Sequence, residues 1–374
     1  MRWRIAVPVA LAAAVLFWMA SAPWLRAHRR AADVLERFSA PAKSALIAAD
    51  LGVDEVDEAG EGSPRMRWYK PRGIANPPGL VLVHGIHRLA VDEPRLVRFA
   101  RALAGNGVAV LTPDVRELAD YRVDARSIET IGAAARALHA KVSRKVGVMG
   151  MSFAGGLSLL AASDPRFRSA IGMVVAVGAH DDAARVARFF ATSRIARPDG
   201  SAASIGAHGY GVLVFAYAHA NDFFPHEDLP IARQAISSWL AEEREVARAI
   251  ALHASASSRE LLERLFDHRL EQVAGPFLAV VDGDTAALTA VSPHGRMDGL
   301  DVPIFLLHGA GDTVIPPTET EWLARDVPAS VLRDVLISRA LLHVEPGGQP
   351  TWYERWELLH FVAEVLQALD ELAP

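Results

Sequence analysis

Short, uninterrupted apolar runs separated by stretches of helical period set the strongest limit on how this chain can fold. Leu80–Val83, Val108–Leu111, Val146–Met149, Ala170–Val177 and Pro303–Leu307 are such runs. None alternates apolar with polar residues. Strands that read this way are covered on both faces, as in a parallel sheet clothed by helices. Helical periods fill the intervals at 93–105, 124–141 and 157–162. Gly105-Asn106-Gly107 closes the first of these helices, and Thr112-Pro113-Asp114 stops the strand that follows. Such turn residues mark element ends. Strand–helix–strand repetition of this kind predicts an α/β class with a mostly parallel central sheet flanked by helices.

The repetition breaks between residues 180 and 300. That stretch is helical in period, with amphipathic runs at 231–250 and 259–273. Strands resume at Pro303–Leu307 and Val331–Ile337, and a long helix over roughly 351–370 closes the chain. The reading is a helical cap inserted into one α/β core. The chain then divides into an N-terminal segment (1–30), a stalk and linker (31–65), the first part of the core (66–179), the cap (180–300) and the second part of the core (301–374). A separate helical domain is the competing reading of 180–300.

Residues 5 to 25 carry no charge. A helix of that length spans roughly 30 Å, the thickness of a bilayer core. Arg2 and Arg4 precede the run, and Arg26, Arg29 and Arg30 follow it. Trp3, Trp18 and Trp24 lie towards its ends, where indole rings suit a membrane interface. We read an uncleaved transmembrane anchor; its flanks, with two and three arginines and the α-amino group, leave the orientation open, and an export-type N-terminus favours the catalytic domain on the outer, periplasmic or extracytoplasmic side. A cleaved signal peptide is the second choice: Ala20-Ser21-Ala22 offers small residues, but Pro23 follows, and the run exceeds the usual ~7–15-residue signal core.

Composition excludes several classes of function. Residues 1–30 hold five arginines and no acid, and the remainder carries 34 basic against 44 acidic residues. An acidic body is poorly suited to nucleic acid, whose binding rests on phosphate neutralisation. The absence of cysteine removes disulfides, thiolate metal sites and a cysteine nucleophile. His219, Asn221, Asp222, His226, Glu227 and Asp228 include metal-ligand types but show no zinc spacing, and a polar loop is the simpler reading.

The chemistry concentrates at Val146-Gly-Val-Met-Gly150-Met-Ser152-Phe-Ala154-Gly-Gly156. An apolar strand runs into a serine, and a helix follows. So tight a turn strains the residue at its apex and requires small neighbours two positions away. It also exposes the hydroxyl at a helix N-terminus, where developing negative charge is favoured.

With that segment in place, the chain resembles the α/β-hydrolase superfamily over roughly residues 66–372. Three further segments carry the resemblance. Leu80-Val-Leu-Val-His84-Gly85-Ile86-His87 is an apolar strand ending in His-Gly. The resemblance implies that the backbone N–H of Ile86 and that of Phe153 form an oxyanion hole. It leaves His84 as a loop-bracing side chain and His87 as a pocket candidate. Ile304-Phe-Leu-Leu-His308-Gly-Ala-Gly-Asp312-Thr-Val-Ile-Pro316 implies Asp312 as the acid, with Asp282 and Asp284 better read as turn residues. His343, beyond the strand Val331–Ile337, is implied as the general base; His360, the competitor, sits in the closing helix beside Trp356 and Phe361 and reads as a half-buried helix residue. The order Ser152, Asp312, His343 is the order of this superfamily.

The resemblance therefore implies a serine hydrolase that cleaves carboxylic esters through an acyl-serine intermediate, with no metal and no organic cofactor. The partners expected are a small or lipid-like ester and, through the N-terminal segment, a membrane. Peptide hydrolysis and acyl transfer use the same triad, and a silent binding scaffold is the reading from another class. In the cap, the apolar run 212–218 and the pair Phe223 and Phe224 are expected either to line an acyl pocket or to pack cap against core.

Overall fold

The computed structural model describes residues 22–39, 47–59, 64–269, 272–342, 345–346 and 350–372. Eight strands form the main sheet: β1 (Val53–Glu58), β2 (Met66–Pro71), β3 (Gly79–Val83), β4 (Ala109–Pro113), β5 (Val146–Met151), β6 (Ile171–Val177), β7 (Ile304–Gly309) and β8 (Leu332–Ser338). Their order is β1-β2-β4-β3-β5-β6-β7-β8. β1 and β2 pair antiparallel, as do β2 and β4, and every other pairing in the sheet is parallel.

The continuous apolar runs have a direct cause. Successive residues of a strand point to opposite faces, and here both faces are covered. Val81, Val83, Val174, Ala176, Ile304 and Leu306 face one core with the helices Arg126–Val142 and Phe153–Ser163. Leu80, Leu82, Met173, Val175, Phe305 and Leu307 face a second core with the helices Pro94–Gly105 and Trp352–Asp370. All residues of β3, β4, β6 and β7 are buried.

Between β6 and β7 the chain passes through the helices Ala183–Thr192, Gly209–Ala218, Leu229–Leu240, Arg244–Ala251, Ala256–Phe266, Ala274–Gly283 and Thr285–Ala290. A ribbon, Arg194–Ala196 with Ala202–Ser204, is set among them. The amphipathic stretch 231–250 is two helices rather than one. They are divided at Ala241–Glu243, where Glu242 takes a positive φ of 66°.

The stretch read as a stalk and linker, 31–65, is corrected by the structure. It contains β1, whose sequence VDEVDE is that of a polar edge strand. It also contains the second half of a helix over 22–39 that lies on the body of the protein. Ala27, Ala31 and Val34 are buried in the second core. Arg30 bonds the Asn106 carbonyl and pairs with Asp370 at 2.5 Å. Asn106 in turn donates to Asp33 at 2.6 Å.

Residues 5–21 of the uncharged segment lie outside the described residues, and among the described residues no helix is long and apolar enough to cross a membrane.

The docking of 22–39 is testable. Ala31 is fully buried, so Ala31→Arg overpacks its seat at a cost of about 1–3 kcal/mol. Limited proteolysis should cut the variant within 22–39 while sparing the parent. Equal protection of both would mean that the helix does not depend on this seat.

Candidate active site

Ser152 stands between β5 and the helix Phe153–Ser163 with φ 58° and ψ −133°. A non-glycine residue at positive φ stores strain on the order of 1–3 kcal/mol, and surrounding contacts must hold it. They do. The Ser152 N–H donates to Val177 O at 2.7 Å, carrying the β5–β6 ladder through the turn. Gly150 lets the helix fold back: a Cβ there would stand 2.3 Å from the Ala154 carbonyl oxygen. Ser152 is the N-cap of its helix, yet its side chain makes no capping bond. The hydroxyl is therefore not spent on the helix it starts.

The loop after β3 lies directly against this turn. A Cβ on Gly85 would be 3.4 Å from the Ser152 Cβ. His84 is buried and braces the loop at both ring nitrogens. Nδ1 donates to the Gly85 carbonyl at 2.7 Å, and Nε2 accepts the Val115 N–H at 3.0 Å. One nitrogen donates and the other accepts, so the ring is the neutral Nδ1–H tautomer. The Gly85 carbonyl and the Ile86 N–H belong to one planar trans peptide, in which they point in opposite directions. Pinning the carbonyl therefore aims the N–H. The following peptide is held as well: the Tyr210 hydroxyl, from the insert, donates to Ile86 O at 2.7 Å.

Asp312 follows β7 and is buried. Its Oδ1 accepts the N–H groups of Val314 at 2.8 Å and Ile315 at 3.0 Å. Its Oδ2 lies 3.3 Å from His308 Nε2. His308 is itself seated by the Thr320 hydroxyl at 2.6 Å and the Ile315 carbonyl at 2.9 Å. His343 lies outside the described residues.

Ser152, Phe153, Ile86, His87 and Asp312 border one cavity of about 830 Å³. The structure thus brings together five of the residues singled out in the sequence. Its apolar wall comes from Met151, Leu96, Leu213, Val214, Trp239 and Phe266. Polar groups include His208, His268, Arg95 and Arg244. Phe223 and Phe224 are not on this wall, which corrects the expectation of a pocket role. Phe223 packs on Phe277 at 5.6 Å between ring centroids and on Phe215 at 6.5 Å, and Phe224 is buried. Both belong to the interior of the insert. The helix Gly209–Ala218 divides its residues by face, presenting Leu213 and Val214 to the cavity and Phe215 to Phe277.

Sequence reading missed the side chains that join insert to core. Tyr210 is one. Glu319 is another: it is buried, accepts the N–H groups of Asp181 and Asp182 at 2.9 and 3.0 Å, and pairs with Arg185 at 2.5 Å. Burial pushes the Asp181 carboxyl up to about 6, against the pull of Arg185. Among the described residues, Asp181, His294 and Asp326 form the grouping whose ligand atoms approach one another closely enough for a cation, within 4.8 Å. The Arg185 guanidinium already sits 2.8 Å from Asp181 Oδ2, where a cation would compete with it. Nothing in the sequence spacing joins these residues.

A mostly parallel sheet in this strand order, with a strained serine turn after β5 and a helical insert after β6, is the α/β-hydrolase fold. Neither a family model nor a curated protein sequence matches the chain. Solved structures similar to it include a 2,6-dihydroxy-pseudo-oxynicotine hydrolase, at 15% identity and TM-score 0.44, over 84% of this chain and 68% of the other. Others are a meta-cleavage product hydrolase from Pseudomonas fluorescens (16%, 0.44, 86% and 99%) and an esterase from Pyrococcus furiosus (14%, 0.44, 88% and 98%).

Burial holds the His84 pKa below its ordinary 6.5. The unfolded chain takes up a proton below that value and the folded one does not. The stabilising contribution is therefore complete above 6.5 and is lost as pH falls through the folded value. With carbon-13-labelled histidine, the His84 Cε1 resonance should titrate with a midpoint below the ordinary 6.5. A midpoint at or above 6.5 would contradict the bracing bonds.

Proposed function

We propose that this protein is a serine hydrolase that cleaves carboxylic esters through an acyl-serine intermediate. The observation that carries the reading is the strained Ser152 turn opening on a cavity shared with Asp312 and the Ile86 loop. Ser152 Oγ is the nucleophile, His343 the general base and Asp312 the acid that orients it. In the first half-reaction Oγ attacks the acyl carbon and its proton passes to His343. The tetrahedral oxyanion is met by the N–H groups of Ile86 and Phe153. His343 then protonates the leaving alcohol. In the second half-reaction water, deprotonated by His343, attacks the acyl-serine; the Ser152 Oγ–acyl bond breaks, His343 returns the proton to Oγ, and the acid leaves.

The mixed wall supports a substrate with an apolar acyl or alcohol part. Leu213, Val214, Trp239 and Phe266 offer the apolar surface. The uncharged segment 5–25 supports anchoring of the protein to a membrane, and the outer side is the face we assign to the catalytic domain.

Two experiments test this reading. A fluorophosphonate probe should label the parent and leave Ser152→Ala unlabelled, with ester turnover lost alongside. Labelling of the folded variant, or none of the folded parent, would overturn it. His84→Ala should lower kcat about 10- to 100-fold with little change in KM, because a misaimed donor loses part of the ~2.7–4 kcal/mol such a donor supplies. A change confined to KM would mean that the bracing serves binding instead.

A further inference from the structure

One end of the molecule carries an aromatic surface that no chemistry at the cavity uses. Trp24 and Leu25 are exposed at the start of the helix 22–39. Trp352, Tyr353 and Trp356 are exposed on the first two turns of the closing helix, Trp352 at 79%. The two helices meet there. Trp24 and Trp356 lie 6.4 Å apart between ring centroids, and His28 bridges them, stacked on Trp356 at 5.5 Å. Every exposed tryptophan among the described residues is at this end. Singly exposed apolar residues mean little, but a contiguous aromatic group on a soluble surface marks an interaction site.

The adjoining sequence identifies the partner. Trp24 and Leu25 are the last two residues of the uncharged segment 5–25. If that segment enters a bilayer, the chain leaves the hydrocarbon at this end of the body. The neighbouring rings must then lie close to the headgroups. Trp356 stands beside Trp24, and Trp352 is four residues away along its helix, roughly 6 Å. The headgroup layer on one side of a bilayer is roughly 5–8 Å deep. Exposed Arg26, Arg29, Arg339 and Arg355 accompany the rings. Of the acids nearby, Glu354 is engaged with the Thr351 N–H and hydroxyl, and Glu357 is half-buried. Tryptophan and tyrosine with arginine are the residues that favour this layer.

We propose that Trp24, Trp352, Tyr353 and Trp356 form a second membrane contact, seated in the headgroup layer of an anionic bilayer beside the N-terminal anchor. This rests on the anchoring reading and adds what that reading lacks: a fixed face of the catalytic domain toward the lipid. It also sets a distance. Phe38, at the far end of the helix 22–39, borders the catalytic cavity. Fourteen residues of helix separate it from Trp24, about 21 Å. The cavity is thereby held within reach of the bilayer surface.

The chain has no cysteine, so Trp352→Cys and Tyr353→Cys each carry a single thiol for a nitroxide label. Ser201→Cys, in the exposed turn of the insert's ribbon, is the control. The full-length variants are reconstituted into vesicles of equal phosphatidylcholine and phosphatidylglycerol. Co-flotation is measured together with label accessibility to oxygen and to a water-soluble nickel chelate. The proposal expects co-flotation, with oxygen favoured over nickel at 352 and 353 and a water-like ratio at 201. Co-flotation with water-like labels at 352 and 353 would overturn the second contact and leave the anchor standing. Labels shielded from both reagents would overturn it in favour of a protein partner. Failure to float would overturn the anchor and the contact with it.

Discussion

Ser152 holds its backbone at φ 58° because the chain must pass from the end of β5 into a helix within one residue. The rest of the structure answers to that turn. β6 holds it through the bond from Ser152 N–H to Val177 O. Gly150 gives the helix room to return. The sheet on either side is buried on both faces, so the strain is held by packing and not by any single bond. A serine in that position cannot relax into an ordinary helix cap. Ser152 borders the cavity instead, with its side chain free of any capping bond.

The components around it are pinned by polar groups that are themselves buried. His84 fixes the peptide that carries the Ile86 N–H, and Tyr210 fixes the next one from the insert. His308, held by Thr320 and the Ile315 carbonyl, lies against Asp312. Glu319, Arg185 and Asp181 tie the first helix of the insert to the helix Thr318–Asp326. In the proposed oxyanion site, donors already in place would need no reorganisation as charge develops. The bonds of His84 and Tyr210 hold the Ile86 peptides in place, and the helix that starts after Ser152 holds Phe153.

Much of this was legible in the sequence, for physical reasons that also mark where legibility ended. β3, β4, β5, β6 and β7 read clearly because strands covered on both faces are apolar throughout. β1 did not, because an edge strand of sequence VDEVDE looks like a charged linker. Ser152 stood out through the small residues of the turn around it, and Asp312 only through the resemblance of its segment to the superfamily. Phe223 and Phe224 were misplaced because apolarity tells that a residue is inside, not which interior it belongs to. The bonds of His84, Tyr210 and Glu319 span up to 138 positions, and no local pattern encodes them.

The proposed constellation sets Ser152 Oγ against the acyl carbon, two backbone donors against its oxygen and His343 against the serine proton. The most direct measurement is a crystal structure of the protein after reaction with a phosphonate that mimics the tetrahedral intermediate. The expected adduct has phosphorus bonded to Ser152 Oγ. It has a phosphonyl oxygen about 2.7–3.1 Å from the nitrogens of both Ile86 and Phe153, with His343 between Ser152 and Asp312. An adduct whose oxygen points away from those amides, or a His343 remote from Ser152, would contradict the proposed constellation.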